Sequence, residues 1–332
     1  MALGTNHVIV SEVQNFVPEL WSDEVVAAYK ANLVFGGLVR KLSHKGKKGD
    51  TIRIPTPTRG AASTKTAQAT VTLIQHGTDN GLTIVIDKHK EYSRLIEDIA
   101  AVQALESLRS FYTDDAGYAI AKRIDKDLIL DALANGGAGG ATLVENTDGS
   151  IDSTSTSFTN AYIGDGATAW APTRSANAGN ATDLTDLGIR RFIKLLDDND
   201  APMSGRVLVI PTVIKQDMLG LARYTEQAFT GESGSGNSIR NGMVGSVYGV
   251  DIYVTTQLPT VEDAGGTADQ KAALMFQRDA IVLVEQLGVR TQTQYKQEYL
   301  ANLFTADVIY GTKVVRATSV LPIIVPSTAT ES

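Results

Sequence analysis

The sequence predicts an α+β fold dominated by one long helix. Three observations carry this prediction. Apolar and polar residues alternate with a period of two within residues 50–88, apolar residues recur every three or four positions from Tyr92 to Leu133, and helix-like and strand-like segments alternate after residue 183. The 332 residues, 43% of them apolar, suffice for two or three structural units around a sizeable core.

Residues 1–42 are predicted to begin extended and then to form an amphipathic helix. Ser22 and Asp23 supply N-cap oxygens. Apolar residues follow at near-helical spacing, namely Val25, Val26, Tyr29, Leu33 and Val34. On this stretch alone the pattern indicates a surface helix.

Residues 50–88 are predicted to form a β-hairpin system. The segments TIRIP and TVTLI (residues 70–74) alternate in polarity, and Asn80-Gly81 suits the two positive-φ positions of a tight type I′ turn. The intervening stretch TPTRGAASTKTAQAT is poor in large apolar residues, so we expect it to project from the core.

Basic residues are concentrated in this hairpin. Residues 40–65 contain eight Lys and Arg residues and a single acidic residue, Asp50. Their local charge is therefore +7, in a chain whose net charge is −7. Such a distribution suits a nucleic-acid arm, a membrane-surface patch or a charge-complementary contact with another protein. The strand periodicity disfavours a membrane surface, and the lack of interleaved aromatic residues disfavours nucleic acid.

The apolar repeat from Tyr92 to Leu133 contains no proline and predicts a helix of roughly 60 Å. The segment YTDDAG allows a bend or a second helix start near Thr113, and NGGAGG gives a C-terminal signal. Residues 136–182 are rich in Gly, Ser, Thr, Asn and Ala, which predicts an exposed and weakly ordered insertion.

The remainder is predicted to be a compact α/β unit followed by strands. Asp183 is the expected N-cap of a helix, RVLVI reads as a buried strand, and Pro211 opens the next helix. The apolar face of the first helix consists of Ile189, Phe192, Ile193 and Leu196. In the last strand, Pro322 predicts an edge or a strand end.

No motif in the sequence indicates catalysis. There is no cysteine, and GESGSGNS has Asn237 where a phosphate-binding loop needs lysine. The four histidines, His7, His44, His76 and His89, lack metal-site spacing, and carboxylate pairs such as Asp125 with Asp127 are interpreted as solvated charge. We therefore assign no catalytic, cofactor-binding or metal-binding residue, although an enzyme with a site assembled from distant residues remains an alternative.

Four ordered segments resemble the N-terminal half of the major capsid proteins of tailed bacteriophages, especially short-tailed phages. They are FVPELWSDEVVAAYKANLVFGGLV, KGKKGDTIRIPTPTRG, TVTLIQHGTDNGLTIVIDKHKEYSRLIEDIA and DDAGYAIAKRIDKDLILDAL. The resemblance covers about 130 residues by order and spacing. The C-terminal half is similar mainly in layout, through YGVDIYVTTQLP and the closing strands.

The resemblance implies the tailed-phage major capsid fold, with a division of the chain that can be written in residue numbers. The implied parts are an N-terminal arm at 1–42, a projecting E-loop hairpin at 43–90, a peripheral domain with a spine helix and Gly-rich insertion at 91–182, an axial domain at 183–290, and C-terminal strands at 291–332 that return to the peripheral domain.

The resemblance also implies a function. Copies of the chain would form hexamers and pentamers of an icosahedral shell around double-stranded DNA, bound without sequence specificity, with scaffolding and portal proteins as partners. The chain would be made in the bacterial cytoplasm, end in the virion, need no cofactor and contact no membrane. The expected intersubunit residues of the E-loop are Lys45, Lys47, Lys48, Arg53, Arg59 and Lys65. An encapsulin-like compartment shell is an alternative with the same fold.

Overall fold

The computed structural model describes most of the chain after residue 33. The described residues are 34–44, 49–56, 62, 64–68, 70–71, 80–97, 107–137, 143–152, 160–171, 180–220, 245–262 and 270–327. The helices are α1 Phe35–Leu38, α2 Ser107–Asn135, α3 Asp186–Asp198 and α4 Thr212–Gly220, with short 3-10 turns at Arg278–Ala280 and Ala317–Ser319. The predicted helix that starts near Ser22 lies mostly outside the described residues.

The strands fall into three sheets. They are β1 Arg40–Ser43, β2 Thr51–Thr56, β3 Asn80–Val85, β4 Lys88–Glu97, β5 Val144–Glu145, β6 Ile151–Asp152, β7 Tyr162–Ile163, β8 Arg206–Ile210, β9 Ser246–Val247, β10 Val250–Val254, β11 Thr260–Val261, β12 Gln270–Gln277, β13 Ile281–Lys296, β14 Ala301–Val314 and β15 Val320–Pro326. One sheet has the order β1-β13-β14-β4, and β2 pairs with β3 alone. The nine remaining strands form the largest sheet, in which β5-β6-β11-β12-β8-β10-β9 form a continuous row and β15 lies between β12 and β7.

The large sheet is buried on both faces. In β8, Val207 and Val209 belong to one apolar core with α2, whereas Leu208 and Ile210 belong to a second core with α3 and α4. Strands β12 and β15 divide their side chains between the same two cores. This explains why RVLVI is continuously apolar, since a strand covered on both faces has no solvent side.

The first core continues under the four-stranded sheet. Phe304, Ala306, Val308 and Tyr310 of β14 alternate along the strand, are buried, and share this core with Leu128 and Ile129 of α2. The long helix α2 therefore packs against both the nine-stranded and the four-stranded sheet.

The helix predicted from Tyr92 is wrong at its N-terminal end. Residues Lys88–Glu97 form strand β4, which pairs antiparallel with β14 over its whole length. A partner strand more than 200 residues away decides the conformation, and local periodicity cannot reveal it. The described helix then runs without a break from Ser107 through Thr113 and ends at Asn135, where Gly137 adopts a positive φ of 74° as a C-terminal glycine should.

Two predicted local signals are also wrong. Asn80 and Gly81 do not form a turn, because they lie in β3 opposite Thr56 and Pro55. The N-cap of α3 is Thr185 and not Asp183, since the Thr185 hydroxyl accepts a hydrogen bond from the Gly188 N–H. The buried positions Ile189, Phe192 and Leu196 are confirmed, and Ile193 is half-buried.

The segment 136–182 is not simply an exposed insertion where the structure describes it. It supplies β5, β6 and β7 to the large sheet, and its residues Ile151, Ile163 and Trp170 are buried in the first core. The segment is rich in glycine and polar residues, so its composition does not reveal the few apolar residues that pack into the sheet.

Pro322 does not mark an edge strand, since β15 pairs with β12 along its length and with β7 at Ile323 and Ile324. At Pro322 itself only β12 is aligned.

Candidate intersubunit surface

The base of the predicted basic hairpin is the strand pair β2–β3. Ile52 and Ile54 of β2 lie opposite Ile84 and Leu82 of β3, which gives the pair one apolar face. The other face carries Arg53, which is exposed. The period of two that predicted this strand thus separates a packing face from a charged face.

The apolar face of β2–β3 is anchored on the four-stranded sheet. Ile84 and Ile86 are buried against Val282 and Val284 of β13. Partly buried residues complete this cluster, namely Leu42, Ile52, Ile54 and Ile309. Backbone contacts add to it, because Ile86 donates its N–H to the Asp50 carbonyl at 2.8 Å.

Gly311 permits the close approach of β3 to β14. A Cβ at this position would lie 2.4 Å from the Val85 carbonyl oxygen and 3.1 Å from the Ile86 Cα. Backbone atoms cannot yield as a side-chain end can, so any larger residue would push the hairpin base away. Nothing in the sequence around Gly311 signals this role.

The exit of the hairpin is fixed by a partly buried polar network. The Lys88 ammonium donates to the Thr312 hydroxyl at 3.0 Å and lies 3.6 Å from a carboxylate oxygen of Asp127. The same carboxylate accepts a hydrogen bond from the Tyr310 hydroxyl at 2.8 Å and pairs with Arg123 at 3.0 Å. Burial, followed by the nearby Asp127 charge, raises the pKa of Tyr310, so its hydroxyl stays a donor.

The start of the described chain is fixed by a second buried carboxylate. Asp125 accepts hydrogen bonds from the backbone N–H groups of Phe35 at 3.1 Å and Gly36 at 2.8 Å, and so caps α1 from the long helix. Burial raises the pKa of Asp125, against the opposing effect of these donors. The interpretation of Asp125 with Asp127 as solvated charge is therefore wrong, because both side chains are buried.

The predicted intersubunit residues are only partly within the described chain. Arg53 and Lys65 are exposed. Lys45, Lys47, Lys48 and Arg59 lie outside the described residues. The assignment of these six residues to an intersubunit surface stays a prediction.

Other sites are not indicated within the described residues. No group of three or more His, Asp or Glu side chains there is arranged to hold a metal ion. Of the two described histidines, His89 contacts Asp307 at 3.3 Å and His44 is half-buried. No helix in the described part of the chain has the length and apolar character needed to cross a membrane.

Comparison with solved structures places this architecture among phage capsids. A chain in a structure of Mycobacterium phage Che8 is 25% identical, with a TM-score of 0.66, and the alignment covers 93% of this chain and 97% of that one. A chain in the capsid of the Cyanophage P-SCSP1u is 18% identical, with a TM-score of 0.69, covering 99% and 97%. A chain in the capsid of Ralstonia phage GP4 is 15% identical, with a TM-score of 0.66, covering 95% and 97%.

The sequence comparison agrees with the fold. No curated protein matches the chain. The profile described as phage capsid protein matches residues 37–324, which include the hairpin base, the long helix and both large sheets. The expected α+β capsid fold is confirmed, and the chain is a structural coat protein and not an enzyme. This protein belongs to the phage capsid protein family.

Proposed function

We propose that copies of this chain assemble as hexamers and pentamers into an icosahedral shell that encloses double-stranded DNA. The family match over residues 37–324 is the observation that carries this proposal. The similarity to capsid chains over 99% and 95% of this chain supports it. Identical subunits in a closed shell repeat each contact many times, so individually weak contacts give a durable particle.

We further propose that the basic hairpin is one of these contacts. Its apolar face is occupied by its own sheet, and the opposite face with Arg53 points away from it. The rest of the chain is strongly acidic, so a neighbouring copy offers complementary charge. An exposed ion pair contributes only about 0–1 kcal/mol, hence Lys45, Lys47, Lys48, Arg53, Arg59 and Lys65 would set orientation more than affinity.

The domain division by residue number is retained as a proposal. Its support is that α2 shares a core with β14, which suits a peripheral unit joining the long helix to C-terminal strands. A second core built on α3 and α4 suits an axial unit within 183–290. The large sheet takes strands from 91–182, 183–290 and 291–332, so the two proposed units share one sheet.

The remaining assignments follow from the family. We propose that scaffolding and portal proteins are partners, that the chain is made in the host cytoplasm, and that its final location is the virion. The acidic net charge of −7 supports enclosure of DNA without tight binding, since a strongly basic lining would grip phosphates and slow both filling and release.

The direct test is assembly of the purified 332-residue chain. Size-exclusion chromatography and negative-stain electron microscopy, with and without a candidate scaffold, should show capsomers, tubes or shells. A uniform small oligomer under all conditions would contradict shell assembly. Particles from infected cells should contain nuclease-protected DNA, whereas enclosed protein cargo would indicate a compartment shell instead.

The role of the hairpin is tested by charge reversal. Replacing Lys45, Lys47 and Lys48 together with Glu should reduce particle yield and leave the circular dichroism of the subunit unchanged. Lys122→Glu, a single charge reversal at an exposed position of α2, is the control and should assemble normally. Particle yield from the triple variant equal to that of the control would rule out the proposed contact.

A further inference from the structure

One face of the long helix α2 carries polar residues into its packed interface with the four-stranded sheet. We define the polar stripe as Arg123, Asp127, Asp131 and Asn135, which recur every four residues and therefore lie on one face of the helix. The apolar residues that alternate with the stripe are buried in the first core, namely Leu128, Ile129, Ala132 and Leu133. The stripe thus enters a joint that is otherwise held by apolar packing.

The two carboxylates of the polar stripe differ in their partners. Asp127 is paired with Lys88 at 3.6 Å and with Arg123 at 3.0 Å. Asp131 accepts a hydrogen bond at Oδ1 from the side-chain amide of Asn135 at 2.7 Å. Its Oδ2 is buried and has no hydrogen-bond partner among the described residues. A buried, charged oxygen without a donor costs free energy, so Asp131 opposes the packing that Asp127 supports.

The groups that face Asp131 do not offset the cost of its burial. Burial raises the pKa of Asp131 above its ordinary value of 3.8, against the opposing effects of these groups. Lys88 of β4 and Lys313 of β14 act on the carboxylate through their charge, and the Asn135 amide and the Thr312 hydroxyl also favour its charged form. The Lys88 ammonium is itself bonded to the Thr312 hydroxyl at 3.0 Å. The folded chain therefore binds a proton at Asp131 more tightly than the unfolded chain does.

We propose that Asp131 makes the joint between α2 and the four-stranded sheet responsive to protons. At neutral pH the buried charge weakens the packing of the helix on β14. Uptake of one proton from solvent at Oδ2 removes this charge and tightens the joint. The inference concerns a single subunit and does not depend on the proposed shell, but in an assembly every copy would respond to the same change in pH.

The direction of the effect follows from the raised pKa. Stabilisation by the bound proton is complete below the ordinary value of 3.8 and is lost as the pH rises through the higher value of the folded chain. The joint should therefore be tighter in mild acid than at neutral pH. Asp307 acts in the opposite direction, because its bonds from Arg290 stabilise the charged form.

The test compares the unsubstituted chain with Asp131→Asn, which keeps the shape of the side chain and an acceptor for Asn135 but carries no charge. Hydrogen exchange is measured by mass spectrometry in segments 122–135 and 304–314 of the unassembled subunit. At about pH 7.5 these segments should exchange about threefold or more faster in the unsubstituted chain than in the variant. The ratio should approach one as the pH falls to about 4.5, and comparison at equal pH cancels the intrinsic pH dependence of exchange.

Two controls separate this effect from a general loss of negative charge. Asp114→Asn, at an exposed position of the same helix, should leave exchange in both segments unchanged at either pH. Asp127→Asn should speed exchange at both, because Lys88 and Arg123 lose their paired carboxylate. The proposal would be overturned if Asp131→Asn failed to fold or exchanged at least as fast as the unsubstituted chain at about pH 7.5. A ratio that does not change with pH would also overturn it, since the effect would then be structural and not due to a proton.

Discussion

At the scale of single residues, buried carboxylates organise the chain around the long helix. Asp125 caps α1, and Asp127 joins Lys88 and Tyr310 to the helix. Each bond spans at least 39 positions in sequence, so these carboxylates set the relative positions of distant segments. A buried acceptor without donors would be costly, and here both carboxylates are satisfied.

Removing the cap should destabilise the subunit. Asp125→Ala leaves the buried N–H of Phe35 and the partly buried N–H of Gly36 without their acceptor, and we expect a loss of about 2–4 kcal/mol in the free energy of unfolding. Urea denaturation followed by circular dichroism measures it. Asp114→Ala, at an exposed position of the same helix, should change the value by less than about 0.5 kcal/mol. Equal effects of the two substitutions would contradict the capping role.

Asp307 should make the free energy of unfolding dependent on pH in the acid range. The Arg290 guanidinium donates two hydrogen bonds to this carboxylate, at 3.0 and 2.8 Å, and holds the pKa of Asp307 below its ordinary value of 3.8. The folded state then binds the proton more weakly than the unfolded state, so the stabilisation is complete above the ordinary value and is lost as the pH falls below it.

Arg290→Gln should therefore reduce the loss of stability between about pH 5 and pH 2. The measurement is the denaturation midpoint across this range. Lys194→Gln, which removes an exposed pair with Asp198 within α3, should leave the shape of the curve unchanged. An unaltered acid dependence in Arg290→Gln would show that Asp307 does not contribute.

At the scale of elements, the β2–β3 pair is held to the sheet by one small apolar cluster. Ile84 is its most buried member from the hairpin, and Val85 beside it faces the other way and is exposed. The hairpin base has no other described apolar packing, so we expect it to open locally before the large sheet unfolds.

Ile84→Ala should make local opening of the β2–β3 pair more frequent. The lost packing amounts to about 2–4 kcal/mol, which corresponds to at least a tenfold faster hydrogen exchange in segments 51–56 and 80–86. Exchange in α2 should stay slow. Val85→Ala is the neighbouring control and should change hairpin exchange less than about threefold, because its side chain leaves no cavity. Equal exchange in both variants would contradict anchoring by Ile84.

At the scale of the whole molecule, the large sheet joins the two cores into one unit. Phe276 and Met275 are neighbours on β12 and point into different cores. A substitution that removes packing from one core should therefore also lower the stability of the other core. Two helix layers with separate sheets would not behave in this way.

We predict one shared unfolding transition for the sheet and its helices. In a Trp21→Phe background, Trp170 of the first core is the single tryptophan reporter. Met275→Ala in the second core should lower the Trp170 fluorescence midpoint and the circular dichroism midpoint together, by about 2–5 kcal/mol in stability. Phe276→Ala should do the same from the first core. If Met275→Ala left the midpoint of the Trp170 fluorescence transition unchanged, the two cores would not unfold as one unit.

The sequence by itself determined those features whose cause is local. The strand RVLVI, the buried positions of α3 and the glycine signal after Asn135 depend on residues within a few positions, so periodicity and capping chemistry identified them. The ordered segments around the hairpin and the long helix also sufficed to indicate the capsid family.

Only the tertiary structure decided the features whose cause is a distant partner. Tyr92 to Ile96 became a strand because β14 lies alongside, and Asn80-Gly81 became part of β3 because Pro55 and Thr56 pair with it. Asp125 became a cap because the folded chain brings Phe35 and Gly36 to it, and Gly311 became essential because β3 passes over it. Cross-strand pairing and burial act between residues far apart in sequence, so their energies override local preference and appear only once the chain has folded.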